Sequence, residues 1–109
     1  MEDAEFVANT IRDQIRAVDY FGLWAWGAQN MKVIPEGLCS LGYIMGGLSF
    51  SANGLKFIGI VKITLMPCDT YTIQIGQEEN EVFVPKETKE NVFCDELVSV
   101  IDNLIEYDT

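Results

Sequence analysis

Carboxylates and three cysteines are the residues of this 109-residue chain that could do chemistry, because the sequence contains no histidine. The lack of histidine excludes Ser-His-Asp and Cys-His catalysis and most zinc sites. Adjacent carboxylates, Glu78 with Glu79 or Asp95 with Glu96, have poor geometry for a shared acid–base site, since neighbours on a helix point about 100° apart. The sequence therefore predicts a non-enzymatic protein with no catalytic residue, no metal and no cofactor.

The three cysteines, Cys39, Cys68 and Cys94, are widely spaced and include no C-x-x-C pair. This usage favours a reduced, cytoplasmic protein in which the cysteines pack in or near the core, with a reactive thiol as the alternative. The N-terminal residues are acidic where a signal peptide is basic, and no apolar run reaches the roughly 20 residues that span a bilayer. We expect a soluble protein that is not exported.

Charge is the strongest functional signal in the sequence. Seventeen acidic and seven basic residues give a formal net charge of −10, and residues 78–108 hold ten of those acids and two of the bases. This balance predicts a partner protein with a basic surface, and it argues against direct binding of nucleic acid or of an anionic membrane. A C-terminal helix would align three acidic residues on its outer face, like a row of phosphates, namely Asp95, Asp102 and Glu106. The alternative is that this helix face is only exposed to solvent and keeps the protein soluble.

The elements that must position these side chains begin with a helix over residues 3–21. It is predicted by apolar residues at helical spacing, namely Val7, Ile11, Ile15 and Val18. Gly22 to Trp26 indicate a short strand in which Trp24 and Trp26 share one aromatic face. A second strand at 31–34 ends at Pro35.

The segment 35–47 mixes Gly and Pro with apolar residues and indicates either an apolar loop or an irregular strand. Loops of this kind often carry binding residues. We expect a partner surface here, with Tyr43 as one of its anchors.

The middle of the chain alternates apolar and polar residues. Residues 48–52 and 55–57 predict a β-hairpin, with Asn53-Gly54 as a two-residue type I′ turn. The strand continues through 61–65, and 71–75 returns with Ile73 inward and with Thr72 and Gln74 outward. A polar turn over 77–80 precedes an edge strand at 81–84.

From Thr88 the pattern changes to helical spacing. Thr88 is the predicted N-cap of a helix whose apolar stripe consists of Phe93, Leu97, Val100, Ile101 and Leu104. The order helix, four or five strands, helix predicts one α+β domain over residues 1–109, a two-layer sandwich with a mainly antiparallel sheet.

As a whole, the chain resembles a small uncharacterised protein family of phages, plasmids and other mobile elements. That family has an F-x-x-x-T-G-A-K-N-F segment, matched here by Phe21 through Met31, which contain Gly27-Ala28-Gln29-Asn30. It also has a hairpin V-K-I-T-L-x-P-x-D-T-Y-x-I-x-F-G, matched by Val61 to Gly76. The family's Lys is Gln29 here, and its later basic residues are replaced by Gln77, Glu78 and Glu79. The resemblance implies a small accessory protein of a mobile element and supplies no activity.

Charge and resemblance together predict a protein that binds and inhibits a host defence or nucleic-acid-processing protein, of the anti-CRISPR or anti-restriction type and with a DNA-mimicking surface. The alternative is a non-enzymatic structural or oligomeric accessory protein, and a homodimer through residues 38–45 or an open sheet edge is expected. The predicted partner-binding residues are Trp24, Trp26, Tyr43, Glu78, Glu79, Asp95, Asp102 and Glu106.

Overall fold

The computed structural model describes residues 4–18, 26–39, 41–54 and 56–105. The described elements follow the chain in the order α1 (Ala4–Val18), β1 (Gln29–Ile34), β2 (Gly37–Cys39), β3 (Gly42–Ile44), β4 (Gly46–Asn53), β5 (Ile58–Leu65), β6 (Tyr71–Glu79), β7 (Val82–Val92), a short 3-10 helix (Cys94–Glu96) and α2 (Leu97–Ile105). This order confirms the predicted α+β class.

Five strands form one antiparallel sheet in the order β1-β4-β5-β6-β7, and β2 and β3 form a separate two-stranded sheet. Ile34 at the end of β1 pairs with Gly47 of β4, so β2 and β3 are inserted between two neighbouring strands. The remaining strands follow one another as a meander, which is the simplest way to join antiparallel neighbours.

The two helices cover one face of the sheet, which we call the helix face. Side chains alternate along each strand, so every second residue of β4, β5 and β6 points toward the helices. The buried cluster includes Ile11 and Ile15 of α1, Leu97 and Ile101 of α2, and the strand residues Leu48, Phe50, Val61, Ile63, Tyr71, Ile73 and Ile75. The predicted inward residues of the central strands are confirmed.

The opposite face of the sheet is polar, and we call it the polar face. Its cross-strand rows include Ser49, Lys62 and Gln74, which are paired in register, and Thr64 opposite Thr72. Thr72 and Gln74 point away from the helix face, as predicted, but both are buried. Ile44 of β3 and Leu41 line a cavity with Lys62 and Gln74, so the inserted hairpin covers part of this face.

Two strand boundaries differ from the sequence prediction. Asn53 pairs with Ile58, so the predicted type I′ turn at Asn53-Gly54 is wrong and the connection is longer. Here the Gly54 N–H donates to the Phe57 carbonyl across 3.0 Å. At the next hairpin β6 runs on to Glu79, and only Asn80 and Glu81 connect it to β7.

The C-terminal helix begins later than predicted. Residues 82–92 form strand β7, Thr88 lies within that strand, and α2 starts at Leu97. The prediction of a helix from Thr88 is therefore wrong, although Leu97, Ile101 and Leu104 are buried as expected. Pro85 does not end the strand, because β7 is an edge strand with a register shift at that point, where proline is tolerated.

Candidate partner-binding surface

The β2–β3 hairpin presents a pair of apolar side chains to solvent. Leu38 and Tyr43 are directly opposite each other in the antiparallel register and therefore share one face. Leu38 is 84% exposed, the highest value among the large apolar side chains that the structure describes, and Tyr43 is 45% exposed. We call these two residues the hairpin patch, and Tyr43 lies at the surface as the sequence predicted.

Contacts on the other side of the hairpin hold the patch outward. Ile44, which follows Tyr43, points the opposite way and is 3% exposed. The Met45 N–H donates to the Leu65 carbonyl across 2.9 Å and ties the base of the hairpin to β5. Burying Ile44 stabilises this arrangement by about 2 kcal/mol, so exposure of Leu38 follows from the alternation of a strand whose other face is anchored.

A carboxylate lies beside the hairpin patch. The Tyr43 hydroxyl donates a hydrogen bond to the Glu36 carboxylate. This bond, together with desolvation and the negative charge of Glu36, raises the pKa of Tyr43 above its ordinary value. The phenol therefore stays neutral over the physiological pH range, and its ring is held in one orientation next to a negative charge.

Three further carboxylates, Glu78, Glu79 and Glu81, are exposed at the tip of the β6–β7 hairpin, and we call them the tip carboxylates. Asn80 and Glu81 have φ of 52° and 66°, the left-handed region that a two-residue type I′ turn requires at both positions. Among the described residues, no ion pair or side-chain hydrogen bond involves the tip carboxylates. Their charge is therefore open to solvent or to a partner.

The structure places Trp26 and Asp102 in contact with each other, and the burial of Trp26 contradicts its predicted role as a partner-binding anchor. Trp26 is 1% exposed and stacks on Phe50 with 6.3 Å between ring centroids. Its Nε1–H donates to Asp102 Oδ1 across 2.5 Å. Neither side chain is free, because the buried indole N–H needs an acceptor and the half-buried Asp102 supplies it.

Two members of the predicted acidic row differ from the prediction. Asp95 is exposed but belongs to the 3-10 helix before α2, and Asp102 bonds with Trp26. Glu96, next to Asp95, accepts a hydrogen bond from the Phe93 backbone N–H across 3.1 Å and so caps the 3-10 helix. Glu106 and Trp24 lie outside the described residues.

Two of the three cysteines differ from expectation as well. Cys68 and Cys94 are exposed rather than packed in the core. Cys68 Sγ lies 3.1 Å from Thr70 Oγ1, and hydrogen bonding with Thr70 lowers the pKa of the Cys68 thiol. The alternative of a reactive thiol therefore has a physical basis at Cys68.

A cleft of about 600 Å³ lies between β7 and α2, where Lys56, Lys89, Glu87 and Glu96 mix both signs of charge. The part of the chain that the structure describes contains no group of three His, Cys, Asp or Glu side chains that could hold a metal ion. No described helix has the length and apolar character needed to cross a membrane.

Comparison of the chain with protein-family models, with curated proteins and with solved structures finds no significant match.

Proposed function

We propose that this chain is a protein-binding module whose partner presents an apolar pocket within a basic surface. The observation that carries the proposal is the hairpin patch: Leu38 and Tyr43 are adjacent, exposed at 84% and 45%, and held outward by the burial of Ile44 on the reverse side. Tyrosine is enriched in the buried centre of protein interfaces, where its ring supplies a large contact area at low entropic cost.

Charge supports a basic partner. The chain carries a net charge of −10, Glu36 lies beside the hairpin patch, and the tip carboxylates have no cation partner among the described residues. Exposed charges of one sign accelerate association with a surface of the opposite sign, and salt weakens the effect. In this proposal Tyr43 and Leu38 set the lifetime of the complex, while the carboxylates set how fast it forms.

The biological setting belongs to the same proposal and rests on the resemblance to mobile-element proteins. In this setting the partner is a host defence or nucleic-acid-processing protein in the cytoplasm, and the chain inhibits it by occupying the basic surface that nucleic acid would use. An enzymatic role is not part of the proposal. A structural or oligomeric accessory protein is the alternative, in which the hairpin patch binds a second copy of the chain.

Capture from bacterial lysate at two salt concentrations, followed by mass spectrometry, tests this proposal. The wild type is compared with the double variant Leu38→Ser/Tyr43→Ser and with the matched control Ile58→Ser/Phe93→Ser, which removes one exposed aliphatic and one exposed aromatic side chain elsewhere. We expect a basic protein that the wild type and the control retain and that the patch variant loses. Equal retention by all three chains would contradict the proposal.

The role of charge is tested with the purified partner. Replacing the three tip carboxylates by glutamine keeps their size and removes their charge. We expect a slower association rate with a flatter salt dependence and an unchanged dissociation rate. Light scattering separates the alternative: a wild type that dimerises and a patch variant that stays monomeric would assign the hairpin patch to self-association instead.

A further inference from the structure

Strand β7 forms one end of the five-stranded sheet and leaves a backbone edge open. It pairs with β6 on one side, and no other described strand pairs with its outer side. Residues 84–91 are all exposed. An open edge of this kind can pair with a further strand through backbone hydrogen bonds.

The charges along this edge are complementary to themselves in reverse. The sequence Lys86-Glu87-Thr88-Lys89-Glu90 places a base opposite an acid at every charged position when it is aligned with an antiparallel copy centred on Thr88. In that alignment Lys86 meets Glu90 and Glu87 meets Lys89, and each pair occurs twice because the arrangement is symmetric. Oppositely charged residues that face each other across an antiparallel pair stabilise it, by about 0.2–1 kcal/mol each.

We propose that two copies of this chain pair antiparallel through β7, about a two-fold axis at Thr88, and form a continuous ten-stranded sheet. The occupant of the open edge is therefore a second copy of the chain. The interface is isologous, meaning that the same strand contributes both sides. It does not use the hairpin patch, so this inference stands independently of the proposed function.

The side chains of Glu87 and Lys89 are placed for such pairing. Glu87 is in register with Ile75 and Lys89 with Ile73, so both point to the helix face. Within one chain, Lys89 Nζ lies 3.4 Å from Glu87 Oε2. Adding the second strand puts each of these side chains opposite the partner residue of the other sign, and the four charges alternate in a square.

The helix face beside β7 has room for the four charged side chains of such a pair. The cleft of about 600 Å³ between β7 and α2 is lined by Glu87 and Lys89 on one side and by Asn103 on the other. The helix α2 therefore stands away from the edge on the face where the four charges meet. The second copy would place its own cleft alongside.

The two ends of the pairing segment are marked by backbone features. Pro85 has no N–H to donate, and Asn91 has φ of 58°, a left-handed conformation that interrupts a strand. In the register centred on Thr88 these residues face each other, so each limits the ladder at the same point. A ladder this short makes a small interface, and we expect dissociation at micromolar concentrations.

The opposite edge of the sheet lacks this property. Strand β1 contains one charged residue, Lys32, and ends before Pro35. Any antiparallel self-pairing of β1 leaves this charge either opposite a neutral residue or opposite its own copy. Self-complementarity is therefore specific to β7.

Charge reversal tests the pairing through sedimentation velocity over a concentration series. Glu87→Lys puts two lysines opposite each other, and Lys89→Glu puts two glutamates opposite each other. We expect the dimer dissociation constant of each variant alone to rise by up to about tenfold over that of the wild type. An equimolar mixture of the two should dimerise again, because every cross-strand pair in the mixed dimer joins opposite charges.

Disulfide formation tests the register. Thr88 is the one residue of the segment that meets its own copy, so the Thr88→Cys variant should form a disulfide between the two copies under mild oxidation, detected by mass spectrometry of the linked peptides. Glu90→Cys, which would meet residue 86, is the matched control and should not link to itself. A wild type that stays monomeric at all concentrations, or a mixture that dimerises no better than the single variants, would overturn the proposal.

Discussion

The two faces of the central sheet are both covered, yet they differ in kind. On β6 the inward residues lie against the helices, namely Tyr71, Ile73 and Ile75. On the other face, Thr72 and Gln74 line cavities that they share with Leu41 of the β2–β3 hairpin. The side chain of Ile73 is 0% exposed in an apolar cluster, while Gln74, at 9%, lines a cavity of about 190 Å³ beside Lys62. Both side chains are buried, but only Ile73 belongs to an apolar core, because the elements that cover the two faces differ in chemistry.

Truncation at neighbouring positions of β6 gives the largest contrast. Ile73→Ala should lower the free energy of unfolding by about 3 kcal/mol, because it leaves a cavity in the buried apolar cluster of the helix face. Thr72→Ala on the polar face should cost under about 1 kcal/mol. Urea denaturation of both variants measures the difference. Equal losses would mean that the hairpin side is packed as tightly as the helix side.

The next prediction concerns a polar contact on the helix face, the hydrogen bond between Trp26 and Asp102. Trp26→Phe removes the N–H that Asp102 accepts and should destabilise the fold by about 2 kcal/mol, since hydrogen bonds to charged groups are worth about 1.5–3 kcal/mol. Asp102→Asn keeps an acceptor at the same place and serves as the matched control, with a smaller loss. Thermal unfolding followed by circular dichroism compares them. A harmless Trp26→Phe would show that the buried bond is dispensable.

Alkaline pH should lower the stability contributed by the helix face, through Tyr71. Burial raises the pKa of this phenol, whose hydroxyl donates to Gln14 Oε1 across 2.7 Å. The folded state therefore holds this proton more tightly than the unfolded state. The resulting stability is complete below the ordinary pKa of about 10 and is lost as the pH rises through the folded-state value.

Urea denaturation at pH 8 to 11 measures this loss. The difference in unfolding free energy between the wild type and Tyr71→Phe should shrink as the pH rises above about 10. All other side chains are the same in both proteins, so their contributions cancel in the comparison. A difference that stays constant with pH would mean that Tyr71 ionises in the folded protein as readily as in the unfolded chain.

The smallest effect is expected on the polar face. Gln74→Leu should change the unfolding free energy by no more than about 0.5 kcal/mol, because the Gln74 side chain makes no hydrogen bond with the residues that the structure describes. Denaturant titration against the wild type gives the value. A loss of several times this size would reveal a bonded network under the hairpin and remove the contrast between the faces.

The same contrast explains what the sequence predicts well. Alternation identified the inward direction of Ile73 on β6, because apolar side chains recur with period two where helices cover them. It failed for β7, whose exposed run Lys86 to Asn91 has no apolar alternation and a helix-like composition. Thr88 consequently resembled an N-cap, although it is an exposed residue of an edge strand.

The candidate site was predictable in part. Tyr43, Glu78 and Glu79 are exposed, as their polar or Gly-rich surroundings suggested. Trp26 was misplaced because its acceptor, Asp102, is 76 positions away in the chain, and no local pattern indicates such a pair. Leu38 lies in the segment that the sequence predicts as a partner surface, but its outward direction was not predictable, since only the burial of Ile44 on the reverse side determines it.

The pairing of Ile34 with Gly47 has a consequence for how this protein can change. The chain leaves the sheet at one point to build the β2–β3 hairpin and returns at the same point, so a tight turn could join the two strands directly. Closing a longer loop costs free energy only in proportion to the logarithm of its length. Residues 35–45 can therefore vary in length and sequence between descendants of this chain while β4, β5 and β6 stay constant, and new binding preferences can arise without a new fold.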